Sequence, residues 1–193
     1  MALIPPVFQS FKAEGEIIGG LIVAYGELEI ALCRCVAEAV NNLDMVVKPL
    51  FGKRLGEAPR INKAVSIGLP AYRALGLDEL CSEIICEMHH CREIRNQFAH
   101  CVFYEDPHRQ GHLLFSNVEE RASQSEHIVE LTSASVPAKR IAVELLKEQE
   151  TYFTYVWGRL NALENKARVR AGKLKEETYT VEKMNTPERH LQR

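Results

Sequence analysis

Three residues in one short stretch have side chains suited to chemistry on a phosphate ester, namely Arg95, Asn96 and His100. Asn96 and His100 are four positions apart, so on a helix they share a face, and the long side chain of Arg95 can reach towards them. Arginine offers a planar, charged fork that matches phosphate oxygens, and histidine moves a proton near neutral pH. The set therefore suits phosphodiester cleavage, with arginine stabilising transition-state charge and histidine acting as acid or base.

The same residues also have a purely structural explanation. Arg95 falls on an apolar stripe, where it would pair with a carboxylate in the core. His100 would then cap the C-terminus of the helix, where positive charge is favoured. The residue pattern by itself leaves both interpretations open.

Two stretches of apolar periodicity predict the helices around this motif. Apolar residues recur every three or four positions from Ile18 to Ala39, which predicts a long helix ending at Asn41-Asn42. A similar stripe predicts a helix from Asp78 to about Tyr104, ended by Asp106-Pro107. Its members are Leu80, Ile84, Met88, Cys91, Arg95, Phe98 and Val102.

The segment between these helices is expected to hold a connection at residues 43–56 and a shorter helix from Pro59 to about Gly68. Pro70 and Gly76 mark the next link. Two short strands are predicted at residues 111–118 and 127–132, which would form a small hairpin.

A fourth long helix is predicted to start at Pro137, with an apolar stripe that continues to Leu163. From Lys166 onwards the chain has eight Lys or Arg against four Glu and few apolar residues. We therefore expect residues 169–193 to be a charged, flexible tail, or one that docks only on a partner.

Composition excludes several classes of protein. The 193 residues are 46% hydrophobic and carry a net charge of −2, which is unlike a protein that coats nucleic acid. The most apolar stretch, Ile17 to Tyr25, is under half of the roughly 20 residues that span a bilayer. We expect a cytoplasmic protein without a membrane partner, because the N-terminus lacks a secretory signal.

The cysteine-rich part of the chain could hold either a metal site or buried thiols. Cys86 and His90 are one helical turn apart and could share a zinc ion, with His89 and Cys91 beside them. No Cys-x-x-Cys pair and no second ligand pair at zinc-finger spacing accompanies them. We therefore expect no metal and no cofactor, and no disulfide framework among the six cysteines.

The string Arg95-Asn96-Gln97-Phe98-Ala99-His100 resembles the Arg-Asn-x-x-x-His motif of the HEPN superfamily. Tyr25-Gly26-Glu27-Leu28-Glu29 and Phe51-Gly52-Lys53 also look like segments of small bacterial HEPN-like proteins. The resemblance covers roughly residues 10 to 165. It implies a mainly α, up-and-down bundle of four or five helices over residues 1–168, with the predicted hairpin near 111–132 as an insertion.

The resemblance also implies an activity. Many HEPN proteins are metal-independent endoribonucleases that act as homodimers, in which the motif helices of two protomers line one cleft. By similarity, Arg95 would hold the scissile phosphate, His100 would be the general acid or base for attack by the RNA 2′-hydroxyl, and Asn96 would orient them. The expected products are a 2′,3′-cyclic phosphate and a 5′-hydroxyl.

The same resemblance implies RNA and a second copy of the chain as partners, and an antitoxin or regulatory protein in a toxin–antitoxin, phage-defence or stress setting. The alternative hypothesis is a non-catalytic helical module for dimerisation or interaction, in which Arg95 is structural.

Overall fold

The computed structural model of the chain describes residues 6–52, 55–106, 108–119, 122 and 138–191. These residues are mainly helical, with a small antiparallel sheet of three strands. The predicted fold class, a helical bundle with a small β insertion, is confirmed. The helices are α1 (Val7–Ser10), α2 (Lys12–Val40), α3 (Asp44–Phe51), α4 (Glu57–Ala74), α5 (Asp78–Ala99) and α6 (Val143–Arg170), and the strands are β1 (Cys101–Glu105), β2 (Leu113–Asn117) and β3 (Lys139–Ile141).

The chain packs as two compact units, and each unit includes part of α2, α5 and α6. The first unit comprises Met1–Ile22, Glu93–Thr151 and Pro187–Arg193, and the second comprises Val23–Arg92 and Tyr152–Thr186. The motif residues Arg95, Asn96 and His100 belong to the first unit.

The second unit is a bundle of packed helices. The thiol of Cys35 on α2 donates a 3.0 Å hydrogen bond to the carbonyl of Leu160 on α6. Tyr155 on α6 donates a 2.9 Å hydrogen bond from its hydroxyl to Glu87 on α5. A Cβ at Gly68 on α4 would lie 3.1 Å from Val36 on α2, so the small residue permits close approach of these two helices.

The first unit is built around the sheet, which has the order β1-β2-β3 with both pairs antiparallel. Phe103 on β1 lies opposite Phe115 on β2. Their rings pack with Phe98 from the end of α5, whose ring centroid is 5.6 Å from that of Phe115. Phe8 of α1 completes this aromatic cluster at 5.1 Å from Phe103. The cluster anchors the end of the motif helix on the sheet.

The predicted extent of the motif helix is wrong at its C-terminal end. The helix was expected to reach Tyr104, but α5 ends at Ala99 and residues 101–105 form β1. Val102 continues the apolar spacing of the helix, yet valine and the aromatic residues Phe103 and Tyr104 that follow it also favour strands. Pairing with β2 decides the outcome, because all five residues lie in register with residues of β2 and the pairing supplies backbone hydrogen bonds.

Two further boundaries differ from the prediction. The connection expected at 43–56 contains the helix α3, which buries Val46 and Leu50. The short helix expected over Pro59–Gly68 runs from Glu57 to Ala74 and includes Pro70. Tyr72, which follows the proline, is 0% exposed, so burial of this large side chain accounts for the continuation of the helix beyond the expected link.

The predicted hairpin is only half within the described residues. The first predicted strand matches β2, but its partners are β1 and β3, and residues 127–132 lie outside the described residues. The fourth long helix, α6, starts at Val143 rather than at Pro137. Pro137 also lies outside the described residues, and Ile141, the first member of the predicted stripe, belongs to β3. The rest of its predicted stripe, Leu145, Tyr152, Val156, Leu160 and Leu163, is buried.

Residues 171–191 continue without a helix and contact the elements described above. Lys173 donates to Glu38 at 2.7 Å, and Leu191 forms an antiparallel bridge with Arg140. The domain boundary at residue 168 and the flexibility of residues 169–193 stay predictions. Among the described residues, no helix has the length and apolar character needed to cross a membrane.

Candidate functional site

The last three turns of α5 position the candidate residues. Cys91, Ile94 and Phe98 lie on one side of the helix and are at most 2% exposed. Burial of this side leaves Arg95 and Asn96 at partly exposed positions on the flank of the helix. The orientation of the motif is therefore fixed by the apolar residues between its members.

Arg95 and Asn96 are joined by a hydrogen bond. Nη1 of Arg95 donates to Oδ1 of Asn96 over 3.0 Å, and both side chains are partly buried. A guanidinium has five donors in one plane, so this bond fixes the orientation of the group. The expected role of Asn96 as an orienting residue is compatible with this geometry.

His100 occupies the turn between α5 and β1. Its backbone carbonyl accepts a 3.1 Å hydrogen bond from the amide of Val118, just after β2, which ties the turn to the sheet. The side chain is exposed. An imidazole in this position has a fixed backbone and an accessible ring, as proton transfer to a bound substrate requires.

The structure thus brings Arg95 and Asn96 into direct contact and places His100 just beyond the end of their helix. The prediction that all three lie within a helix is wrong for His100, because β1 pairs with β2 directly after it. Arg95 is less buried than the residues before and after it in its predicted stripe, Cys91 and Phe98.

Sequence reasoning missed a segment from the far end of the chain that binds beside the motif. Nη1 of Arg189 is 3.1 Å from Oε2 of Glu93. Nε2 of Gln97 donates a 2.6 Å hydrogen bond to the carbonyl of Arg189. Glu93, Asn96 and Gln97 follow the spacing i, i+3 and i+4, which is the signal for one helical face. The sequence shows this face but not the residues that dock on it.

The side chain of Gln149 on α6 binds the backbone of the same segment. It is 0% exposed, and its Nε2 donates to the carbonyls of Glu188 and Arg189 at 2.7 and 3.0 Å. A buried amide needs such partners, since an unsatisfied donor in the core is costly. The backbone of residues 188 and 189 is therefore held by a buried side chain.

His190 follows Arg189 in the same segment and packs on the sheet. Its ring packs edge-on against Phe115, with centroids 6.4 Å apart. Burial lowers the pKa of His190 below its ordinary value, and the nearby positive charges of Lys139 and Arg189 lower it further. The negative charge of Glu188 opposes this shift in pKa.

The cysteine-rich part of α5 is divided between core and surface. Cys81 and Cys91 are buried, and Cys86 is exposed. The ring of His90 packs edge-on against Tyr152 at 5.6 Å. Across the residues that the structure describes, no group of three or more His, Cys, Asp or Glu side chains is arranged to hold a metal ion.

No model of a known protein family, no curated protein and no solved structure matches this chain. The likeness to HEPN proteins consequently rests on the residues of the motif and on their positions in a mainly helical fold. The activity that it implies is taken up as a proposal.

Proposed function

We propose that the chain is a metal-independent endoribonuclease of the HEPN type, which cleaves RNA to 2′,3′-cyclic phosphate and 5′-hydroxyl ends. The observation that carries the proposal is the arrangement at the end of α5. Arg95 is oriented by its hydrogen bond to Asn96, and the exposed His100 follows at the point where the helix ends.

In the proposed mechanism, the guanidinium of Arg95 binds the non-bridging oxygens of the scissile phosphate. It stabilises the charge that develops on them in the transition state. One His100 removes the proton from the 2′-hydroxyl, whose oxygen attacks phosphorus, and the bond to the 5′ oxygen breaks. The leaving oxygen receives a proton from an acid, so that the 5′ product ends in a hydroxyl.

A homodimer provides both the base and the acid. One imidazole cannot be deprotonated and protonated at the same moment, whereas two related by a two-fold axis can divide these roles. We therefore propose that the active species contains His100 from each of two copies, in the cytoplasm, with an antitoxin or regulatory protein as a further partner.

The test is cleavage of a mixed RNA by the purified chain in the presence of EDTA. We expect the wild type to cleave and His100→Ala to be inactive, with cyclic phosphate ends in the products. His108→Ala is the matched control, because His108 is also an exposed histidine after α5 and lies outside the motif. Cleavage by His100→Ala, or loss of cleavage in the control alone, would overturn the assignment of His100.

A second candidate, a non-catalytic interaction module, is favoured by the exposed apolar side chains of the second unit. Val23 is 72% exposed, and Leu43 and Met45 are close to 60% exposed. In this case Arg95 has a structural role, so Arg95→Ala lowers the melting temperature markedly and the chain cleaves no RNA. An unchanged melting temperature together with loss of cleavage supports the nuclease instead.

A further inference from the structure

We propose that Arg189 is a second phosphate-binding residue of the site, which binds an RNA phosphate next to the one that is cleaved. This inference deepens the proposed nuclease function and rests on it. The residue comes from the segment 187–191, and it docks on α5 at Gln97 and Glu93, which lie 92 and 96 positions before it.

The first argument is the position of Arg189 on the motif helix. Its carbonyl is bound by Gln97 and its guanidinium pairs with Glu93, and both partners share a helical face with Asn96. Glu93 lies six positions before Ala99, the last residue of α5, which corresponds to about 9 Å along the helix axis, and His100 follows directly. A strand of RNA that places one phosphate at Arg95 and His100 thus passes close to Arg189.

The second argument is the contrast between the backbone of Arg189 and its side chain. The backbone is held through its carbonyl by Gln97 and by the fully buried Gln149, and the next-but-one residue bridges to β3. The side chain is 50% exposed and that of Glu93 is 43% exposed. Because exposed ion pairs contribute little to stability, a phosphate can replace the carboxylate of Glu93 at small cost.

The third argument is local charge. The C-terminal end of α5 carries the negative end of its helix dipole, which repels a phosphate. Arg189 pairs with Glu93, so a positive charge from a distant part of the chain is held against α5. An arginine here offsets the repulsion and adds bidentate recognition of phosphate.

The test is the binding of a short single-stranded oligoribonucleotide as a function of salt, measured with the His100→Ala chain so that the RNA stays intact. We expect Arg189→Gln to raise Kd about tenfold. It should also reduce the slope of log K against log salt by about 0.7, which corresponds to one lost contact on single-stranded RNA. The backbone of residue 189 is held through its carbonyl, and the substitution removes only the side-chain ion pair with Glu93, so the segment stays docked.

Glu93→Gln provides the opposite change. It removes the carboxylate that competes with RNA for Arg189, and we expect Kd to fall several-fold. Arg73→Gln is the matched control, since Arg73 is 72% exposed and also forms an ion pair on the surface, with Asp78 at 3.8 Å. This control should leave both Kd and the slope unchanged.

Three outcomes overturn the inference. Unchanged Kd and slope in Arg189→Gln, while the wild type still cleaves RNA, would reject the role of Arg189 and leave the nuclease proposal standing. A higher Kd in Glu93→Gln would show that RNA does not compete with that carboxylate. Absence of RNA binding and cleavage in the unmodified chain would reject the proposed function and this inference together.

Discussion

Nη1 of Arg95 donates a 3.0 Å hydrogen bond to Oδ1 of Asn96, its neighbour in the chain. Successive residues on a helix point about 100° apart, so the long arginine side chain must bend around the helix to reach the amide. The bond therefore fixes one orientation of the guanidinium out of many. In the proposed reaction, Asn96 acts through Arg95 as a positioning residue.

Replacement of Asn96 tests this relationship. Asn96→Ala removes the acceptor, and we expect kcat for RNA cleavage to fall about tenfold with a smaller change in KM, because the bond orients Arg95 for the transition state. Asn96→Asp keeps an acceptor and should recover part of the loss. Equal kcat values for the alanine variant and the wild type would contradict the positioning role.

The ion pairs of Arg159 are expected to stabilise the second unit. Its side chain is 12% exposed and bonds Glu83 at 2.7 Å and Glu87 at 3.3 Å. Arg159→Ala leaves the mostly buried Glu87 without its cation, and we expect a loss of about 2–3 kcal/mol in the free energy of unfolding. Urea denaturation measures this quantity. Arg73→Ala, at a 72% exposed ion pair, should cost no more than about 0.5 kcal/mol, and equal losses in both variants would contradict the prediction.

The cysteines should differ sharply in reactivity. Burial raises the pKa of the Cys35 and Cys91 thiols well above their ordinary range, and the pKa of Cys81 to about 11. Only the thiolate is nucleophilic, so these groups resist alkylation in the folded chain, whereas the exposed Cys86 reacts. Iodoacetamide labelling followed by mass spectrometry should find Cys86 modified first. Early modification of Cys35 would show that the core around it opens.

His190 is expected to make stability depend on pH. Its pKa is lowered in the folded chain by burial and by the charges of Lys139 and Arg189, while Glu188 opposes the shift. Between this lowered pKa and the ordinary histidine pKa of about 6.5, the unfolded chain therefore binds a proton that the folded chain does not. The free energy of unfolding is therefore highest above about pH 6.5, and it decreases as the pH falls from there to the pKa of His190 in the folded chain.

The corresponding measurement is the melting temperature at pH 7.5 and pH 5.5. We expect a smaller decrease between these values in His190→Gln than in the wild type, because the substituted side chain does not titrate. His108→Gln is the control, and it should show the same decrease as the wild type. Identical decreases in all three proteins would contradict the prediction.

Local signals predicted the helices well where those signals decide the structure. Asn41 adopts a positive φ of 52°, so the Asn41-Asn42 pair ends α2 as expected. The predicted stripe on α2 is buried from Ile18 to Cys35 as its spacing indicates, although Glu29, Ala31 and Cys33 between its members are buried as well. Arg95 and Asn96 lie on α5, the helix to which the spacing assigned them.

Features that depend on distant partners were not predictable in this way. Residues 101–105 carry a pattern that suits both a helix and a strand, and the presence of β2 decides between them. Pro70 predicts the end of a helix, but α4 continues through it to Ala74 because Tyr72 is buried. The docking of Arg189 on Glu93 joins residues 96 positions apart, and no local pattern encodes such a pairing.

The 96 positions between Glu93 and Arg189 also mean that the two residues leave the ribosome at different times. At roughly 5–20 residues per second, residue 189 leaves the ribosome about 5 to 20 s after residue 93. For that interval the face of α5 with Glu93 and Gln97 has no segment 187–191 to cover it, and Gln149 lacks the carbonyls that it binds in the finished chain. A nascent chain therefore offers an open helical face that the completed protein does not, and a partner that binds co-translationally would meet this form first.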